Sequence, residues 1–132
     1  MKYLVDSDYV AHYLKGRSPA TQLLSTLFTD GLAISIITFA EIYEGIYYGQ
    51  KPDYYAEIFQ HFLHGVSVLG ITRSIAKEYA LIRGNLAHKG QLIDQPDIFI
   101  AATARYHNLT LVTRNLKDYD RIPDVEFYQP TA

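Results

Sequence analysis

The chain contains no cysteine and no long apolar run, and both absences limit what it can be. With no cysteine among 132 residues, it can form neither disulfides nor thiolate metal sites, and it has no cysteine nucleophile. No segment is apolar over the length that a membrane-spanning helix needs. The N-terminal segment reaches Asp6 after only a few apolar residues, so we expect no export signal and a cytoplasmic location.

An excess of positive charge is also missing. The formal net charge is -2, whereas proteins that bind nucleic acid normally carry a basic face. Hydrophobic residues make up 48% of the chain and charged residues 20%, a balance that excludes disorder. The length is that of one ordinary domain, so we expect a single domain over residues 1–132.

Short apolar runs rich in β-branched residues alternate with helical patterns along the chain. The runs predict strands at 2–5, 32–37, 66–71, 109–113 and 125–128. Helices are predicted from Pro19 with Ser18 as N-cap, from Thr38 as N-cap through Tyr48, from Pro52, over 73–88, and from Pro96 through Tyr106. This alternation predicts an α/β three-layer sandwich, in which a mostly parallel sheet of four to five strands is covered by helices on both faces.

Four acidic residues lie at the edges of apolar runs. Asp6 follows the first predicted strand, and Glu41 lies early in the helix after the second. Asp94 and Asp97 precede the apolar run at residues 98–102. Ligands of parallel sheets bind beyond the carboxyl ends of the strands, where these carboxylates can converge. Like charges persist together when a cation neutralises them or their pKa values rise, and hard oxygen ligands favour Mg²⁺ or Mn²⁺.

Four segments resemble the ordered motifs of a known family. They are residues 3–8 (Tyr-Leu-Val-Asp-Ser-Asp), 35–41 (Ser-Ile-Ile-Thr-Phe-Ala-Glu), 90–104 (Gly-Gln-Leu-Ile-Asp-Gln-Pro-Asp-Ile-Phe-Ile-Ala-Ala-Thr-Ala) and 111–119 (Leu-Val-Thr-Arg-Asn-Leu-Lys-Asp-Tyr). Their order is similar to that of PIN-domain ribonucleases, specifically VapC-type toxins of bacterial toxin–antitoxin systems. The resemblance extends over essentially the whole chain. It implies that Asp6, Glu41 and Asp97 are the catalytic metal ligands, with Asp94 as an auxiliary acid.

The chain departs from the family pattern at two places. Ser7 and Asp8 replace the usual threonine and asparagine, and Asn115 stands where the family often has aspartate. The fourth ligand is therefore open between Asn115, acting through a metal-bound water, and Asp118. Whether one metal or two bind is also open. The Thr38 hydroxyl is expected to cap its helix and to hold the neighbouring glutamate.

The resemblance also implies a substrate and partners. These are RNA, cleaved by a metal-activated water to leave a 5′-phosphate and a 3′-hydroxyl, and a small VapB-like antitoxin. An antitoxin segment is expected to lie across the second to fourth helices and to insert an arginine toward Asp6 and Asp97. A cluster of tyrosines lies at 43, 47, 48, 54 and 55. These rings could stack bases, but packing of a helical hairpin or of a dimer interface, where tyrosine is enriched, is favoured, and we expect a homodimer.

A net charge of -2 is compatible with RNA binding if the acidic residues hold cations and basic residues line the cleft. The candidates are Lys15, Arg17, Lys51, Arg73, Arg83, Lys89, Arg114, Lys117 and Arg121. RNA binding should then be modest and metal-dependent.

Several alternatives compete with the metal site. Ser7 or Asp8 alone fits an N-cap, and Asp97 alone fits an acid in the first turn of a helix. In a haloacid-dehalogenase-type phosphatase, Asp6 and Asp8 would be nucleophile and acid, and residues 34–38 would bind phosphate, but Glu41 would have no role. A catalytically silent PIN-like binding module is the third alternative, kept open by the asparagine at 115. The histidines show no zinc-ligand spacing.

Overall fold

Four short parallel strands form the central sheet of the computed structural model, which describes residues 1–129. They are β1 (Tyr3–Val5), β2 (Leu32–Ser35), β3 (Val66–Leu69) and β4 (Thr110–Val112). Their order across the sheet is β3-β2-β1-β4. In the central strand, Tyr3 is paired with Leu32 on one side and with Thr110 on the other.

Seven α-helices connect and follow the strands within residues 1–129. They are α1 (Ser7–Leu14), α2 (Ala20–Leu27), α3 (Ile36–Tyr48), α4 (Pro52–Phe62), α5 (Arg73–His88), α6 (Gln95–His107) and α7 (Leu116–Tyr119). Short 3₁₀ turns follow α2 and α4 at Phe28–Asp30 and Leu63–Gly65. In the described part of the chain, no helix has both the length and the apolar character that crossing a lipid bilayer requires.

The sheet separates two apolar layers, because successive side chains of a strand point to opposite faces. Tyr3 and Val5 pack with residues of α1 to α4, among them Phe59. Leu4 packs on the other face with residues of α5 to α7, among them Ile98. Helices on both faces of a parallel sheet confirm the predicted α/β sandwich.

The predicted fifth strand at 125–128 is wrong. Phe127 forms only an isolated parallel bridge with Leu111, made by Leu111 N donating to Glu126 O at 2.8 Å and Tyr128 N donating to Leu111 O at 2.9 Å. Because β4 is only three residues long, it offers little length for a further strand to pair with.

The starts of two helices also differ from the prediction. Ser35, not Thr38, is the N-cap of α3, and its Oγ accepts a hydrogen bond from Ile37 N at 3.0 Å. The helix begins directly after β2 without a loop, so Thr38 lies buried in its first turn. Pro19, not Ser18, is the N-cap of α2, and no side chain caps that helix.

Candidate active site

The carboxyl ends of β1 and β4 lie side by side at the point where the direction of the connections reverses. From β1 the chain crosses to β2 and then β3, whereas β4 lies on the opposite side of β1. Such a switch point leaves a crevice beyond the strand ends, which is where parallel sheets bind ligands. Asp6 follows β1 and Thr113 follows β4, so both residues begin at this crevice.

Asp6 is held rigidly at the base of the crevice. It is only 5% exposed, and it is the N-cap of α1, a role that the sequence had suggested for Ser7 or Asp8. Its Oδ1 accepts from Ser7 N at 2.8 Å and its Oδ2 accepts from Thr113 Oγ1 at 2.7 Å. Burial raises the pKa of Asp6, as do the nearby negative charges of Asp8 and Glu41, while the two hydrogen bonds act in the opposite direction.

Glu41 reaches the same crevice from α3 and is oriented by the first residue of α1. Ser7 Oγ donates to Glu41 Oε1 at 2.6 Å and lies 3.3 Å from Thr38 Oγ1. A carboxylate can only accept a hydrogen bond, and a serine hydroxyl has one proton to donate. Ser7 therefore donates that proton in its shorter contact, the one with Glu41. Thr38 therefore acts on Glu41 through Ser7, and not directly as the sequence had suggested.

Asp97 enters from the opposite helical layer, in the first turn of α6. Burial and then the charge of Asp6 raise its pKa to about 6. Tyr119 OH, at the end of α7, donates to Asp97 Oδ1 at 3.2 Å and lowers the pKa of that carboxyl. Tyr119 is fully buried, and burial together with the neighbouring carboxylates raises the pKa of its own hydroxyl, so it stays a donor.

These side chains share one open cleft of about 520 Å³. Its lining residues are Asp6, Ser7, Asp8, Glu41, Asp97, Arg114 and Asn115. The three acids predicted as metal ligands are therefore brought together, and Asp8 joins them. Of the basic residues proposed to line the cleft, the structure places Arg114 there.

The end of β4 distinguishes between the two candidates for a fourth ligand. Asn115 lines the cleft, and its backbone N donates to Thr113 Oγ1 at 3.0 Å. Asp118 does not line it. Its Oδ2 accepts from Asn115 Nδ2 at 3.2 Å, and its Oδ1 lies 3.8 Å from Arg121 Nη2. Asp118 thus orients the side chain of Asn115 and does not itself face the cleft.

Asp94 also stands apart from the cleft. It is the exposed N-cap residue of α6 and makes no side-chain capping bond. Its charge is the smallest of the effects that raise the pKa of Asp97. Asp94 therefore acts on the site at most through its electrostatic field.

Sequence reasoning missed Tyr119 altogether and gave little weight to Thr113. Both hold cleft carboxylates, Tyr119 through Asp97 and Thr113 through Asp6. The only signal for them was their position in the last family-like motif, residues 111–119.

The donors of the cleft suit a hard divalent cation. Within residues 1–129, no three histidine or acidic side chains form a ready-made cage for one metal ion. Mg²⁺, however, is usually held by one or two carboxylates and keeps several of its water ligands. The buried Asp6 and half-buried Asp97 provide such carboxylates in an open cleft. Burial raises the pKa of both, and the neighbouring carboxylates add to the shift, so a bound cation would favour their charged forms.

The chain is similar to known proteins over almost its whole length. A family model described as the PIN domain matches residues 3–125. Ribonuclease VapC2 of Haemophilus influenzae is 31% identical over 124 residues, 92% of either chain. The tRNA(fMet)-specific endonuclease VapC of Salmonella typhimurium is 27% identical over 125 residues, 95% of either chain. The crystal structure of VapBC2 from Rickettsia felis bound to a promoter DNA fragment contains a chain that superposes with a TM-score of 0.89, at 27% identity and with 97% of this chain and 98% of that one covered. The chain therefore belongs to the PIN domain family, as one of its VapC-type members.

Proposed function

We propose that this protein is a Mg²⁺- or Mn²⁺-dependent endoribonuclease and the toxin of a toxin–antitoxin pair. The observation that carries the proposal is the convergence of Asp6, Glu41 and Asp97 in one cleft at the switch point of the sheet. Relatives with near-complete coverage are a ribonuclease and a tRNA endonuclease by name. We place the activity in the cytoplasm, where RNA and an antitoxin would both be present.

Each proposed ligand is oriented by a neighbour that leaves part of the carboxylate available. Asp6 and Asp97 would hold the cation, with Glu41 and a water on Asn115 completing its surroundings. When bound, Mg²⁺ would activate a water molecule and neutralise charge developing on the phosphate oxygens. Thr113, Ser7 and Tyr119 fix the carboxylates in advance through the hydrogen bonds described above, which limits reorganisation during the reaction.

An aspartyl-phosphatase mechanism has less support. That mechanism needs a lysine at the site, and among residues 1–129 no lysine lines the cleft. Glu41 lies in the cleft as a metal-site carboxylate would.

The test of this function is cleavage of structured RNA by purified protein with Mn²⁺ or with EDTA. Cleavage should require the metal and leave 5′-phosphate and 3′-hydroxyl ends. Asp6→Asn keeps the size of the side chain and removes a ligand charge, so cleavage should fall by orders of magnitude while the fold is kept. Equal cleavage by Asp6→Asn would assign the activity to a contaminant.

A second groove beside the cleft supports the antitoxin proposal. It is lined by residues of α1, α3 and α4, with the apolar side chains of Leu14, Ile42 and Ile46 and the half-buried ring of Tyr55. Glu41 belongs to both the groove and the cleft, so a peptide lying in the groove can reach the carboxylates. The groove overlaps the surface expected from the sequence at α3 and α4, the second and third predicted helices, but it is lined by α1 and not by α5, the fourth.

The antitoxin proposal is tested in cells and on the purified complex. Expression of this chain alone should arrest growth, and co-expression of its antitoxin should restore it. Gly45→Arg places a charged side chain in the apolar groove, at a position where an added Cβ meets nothing within 4 Å, and should weaken antitoxin binding while RNA cleavage persists. A co-purified partner that leaves nuclease activity intact would contradict inhibition through the cleft.

We also keep the homodimer as a proposal. Tyr47, Tyr48 and Tyr54 are exposed near the junction of α3 and α4, and tyrosine is favoured at protein interfaces. Light scattering of wild type and Tyr48→Ser at matched concentrations would test whether these rings hold two copies together.

A further inference from the structure

Arg114 has an unusual position among the residues of the cleft. It follows the buried Thr113 just beyond β4 and is itself exposed. Among the described residues that line the cleft, it is the one cation, and four of its neighbours there carry carboxylates. A guanidinium in such surroundings would ordinarily be expected to pair with one of them.

Arg114 contacts the imidazole of His12 instead. Its Nη1 lies 3.0 Å from His12 Nδ1 and 3.3 Å from His12 Nε2. The same guanidinium nitrogen is thus within hydrogen-bond distance of both ring nitrogens, and since arginine can only donate, the imidazole is the acceptor of this contact. Within residues 1–129, Arg114 makes no ion pair with a carboxylate of the cleft. Its guanidinium is therefore held by His12 and, among the described residues, has no direct ion-pair partner.

We propose that Arg114, positioned by His12, binds a backbone phosphate of the RNA next to the cleavage site. This inference rests on the proposed ribonuclease function. A phosphodiester approaching four carboxylates is repelled, and Arg114, the one cation among the described residues that line the cleft, offsets part of that repulsion. A guanidinium also bonds phosphate oxygens in a two-pronged geometry that fixes the direction of the strand. Arg114 is thus a substrate-binding residue, and His12 is a positioning residue.

Binding of a labelled single-stranded RNA to the cleavage-impaired Asp6→Asn protein tests the proposal. Arg114→Gln in that background should weaken binding about tenfold, as expected for a charge-assisted hydrogen bond. The slope of log affinity against log salt should fall by about 0.7, the value for one phosphate contact on a single strand. The matched control is Arg83→Gln, an exposed arginine in the middle of α5 outside the cleft, which should change neither quantity.

Two further variants test the specific geometry. Arg114→Lys keeps the charge without the fork and should recover only part of the binding. His12→Phe removes the acceptor and should reproduce part of the loss, whereas His12→Gln keeps an acceptor and should bind more tightly than His12→Phe. Equal binding by the two His12 variants would contradict the positioning role.

The competing explanation is that Arg114 only reduces repulsion among the carboxylates. In that case Arg114→Gln would change Mn²⁺ affinity and leave RNA affinity and the salt slope unchanged, which would overturn the proposal. Failure of the ribonuclease function is separate, because it would appear as absence of Mn²⁺-dependent cleavage by the wild type. If the wild type does cleave, Arg114→Gln should raise KM more than it lowers kcat.

Discussion

Replacing Asp97 by asparagine should stabilise the metal-free protein at neutral pH. The pKa of Asp97 is raised from 3.8 to about 6, first by burial and then by the charge of Asp6. Because its pKa is higher in the folded state than in the unfolded state, ionising Asp97 costs free energy in the fold. The stabilising contribution of protonated Asp97 is therefore fully present below about pH 4 and is lost as pH rises through about 6.

The size of the effect follows from the shift. Two pKa units correspond to about 3 kcal/mol, and solvent screening of this half-buried carboxyl reduces that to about 1–2 kcal/mol. Asparagine keeps the volume and an oxygen that accepts from Tyr119 OH, so the change removes charge and little else. In a domain of this size the gain corresponds to roughly 3–8 °C in Tm.

Urea unfolding in EDTA at pH 7.5 and pH 4 measures the effect. The free energy of unfolding of Asp97→Asn should exceed that of the wild type by about 1–2 kcal/mol at pH 7.5. Most of that difference should disappear at pH 4. The matched control is Asp94→Asn, on the same helix but outside the cleft, which should change little. Millimolar Mn²⁺ should then stabilise the wild type and not Asp97→Asn. Equal destabilisation by Asp97→Asn at both pH values would refute the reasoning.

Three other substitutions test the surroundings of the carboxylates. Thr113→Val keeps the shape but removes a buried donor, so urea unfolding should show a loss of about 1–3 kcal/mol; an unchanged midpoint would contradict the hydrogen bond. Tyr119→Phe should raise the pKa of Asp97 above about 6, as measured by NMR titration of its carboxyl carbon. An unchanged pKa would contradict the hydrogen bond from Tyr119 to Asp97. Asn115→Asp should tighten Mn²⁺ binding because a carboxylate attracts a cation more strongly than an amide, whereas Asp118→Asn should leave it nearly unchanged. A large loss of Mn²⁺ affinity confined to Asp118→Asn would reverse that assignment.

The sequence was sufficient to predict where the main carboxylates meet. Asp6 and Glu41 follow short strands, and Asp97 lies at the start of a helix, so local patterns alone place them near strand ends. The switch-point rule for parallel sheets then brings these ends together. The predicted fold is confirmed for the same reason, since alternating strands and helices leave few arrangements other than a parallel sheet covered on both faces.

The contacts that orient the carboxylates could not be predicted in this way. Thr113 and Asp6 are 107 residues apart, and their hydrogen bond depends on the register of β4 beside β1. Tyr119 and Asp97 are 22 residues apart and meet only because the end of α7 lies beside the first turn of α6. Such contacts are set by packing between elements, on which the pattern of a single segment carries no information.

The capping of α3 illustrates a finer limit. Ser35 and Thr38 both carry hydroxyls that suit an N-cap, so local preference does not distinguish between them. The structure selects Ser35 because β2 ends there, with Ser35 paired to Leu69 of β3. The start of the helix is thus determined by how far the neighbouring strand extends.

The central claim is that the carboxylates of Asp6, Glu41 and Asp97 together hold the divalent cation that RNA cleavage requires. Its most direct test is one Mn²⁺ titration of the wild type, followed both by cleavage rate and by Tm. The account predicts that activity and stabilisation saturate at the same Mn²⁺ concentration, and that both are lost in Asp97→Asn. Cleavage that persists in EDTA, or that saturates with Mn²⁺ while Tm does not change, would contradict it.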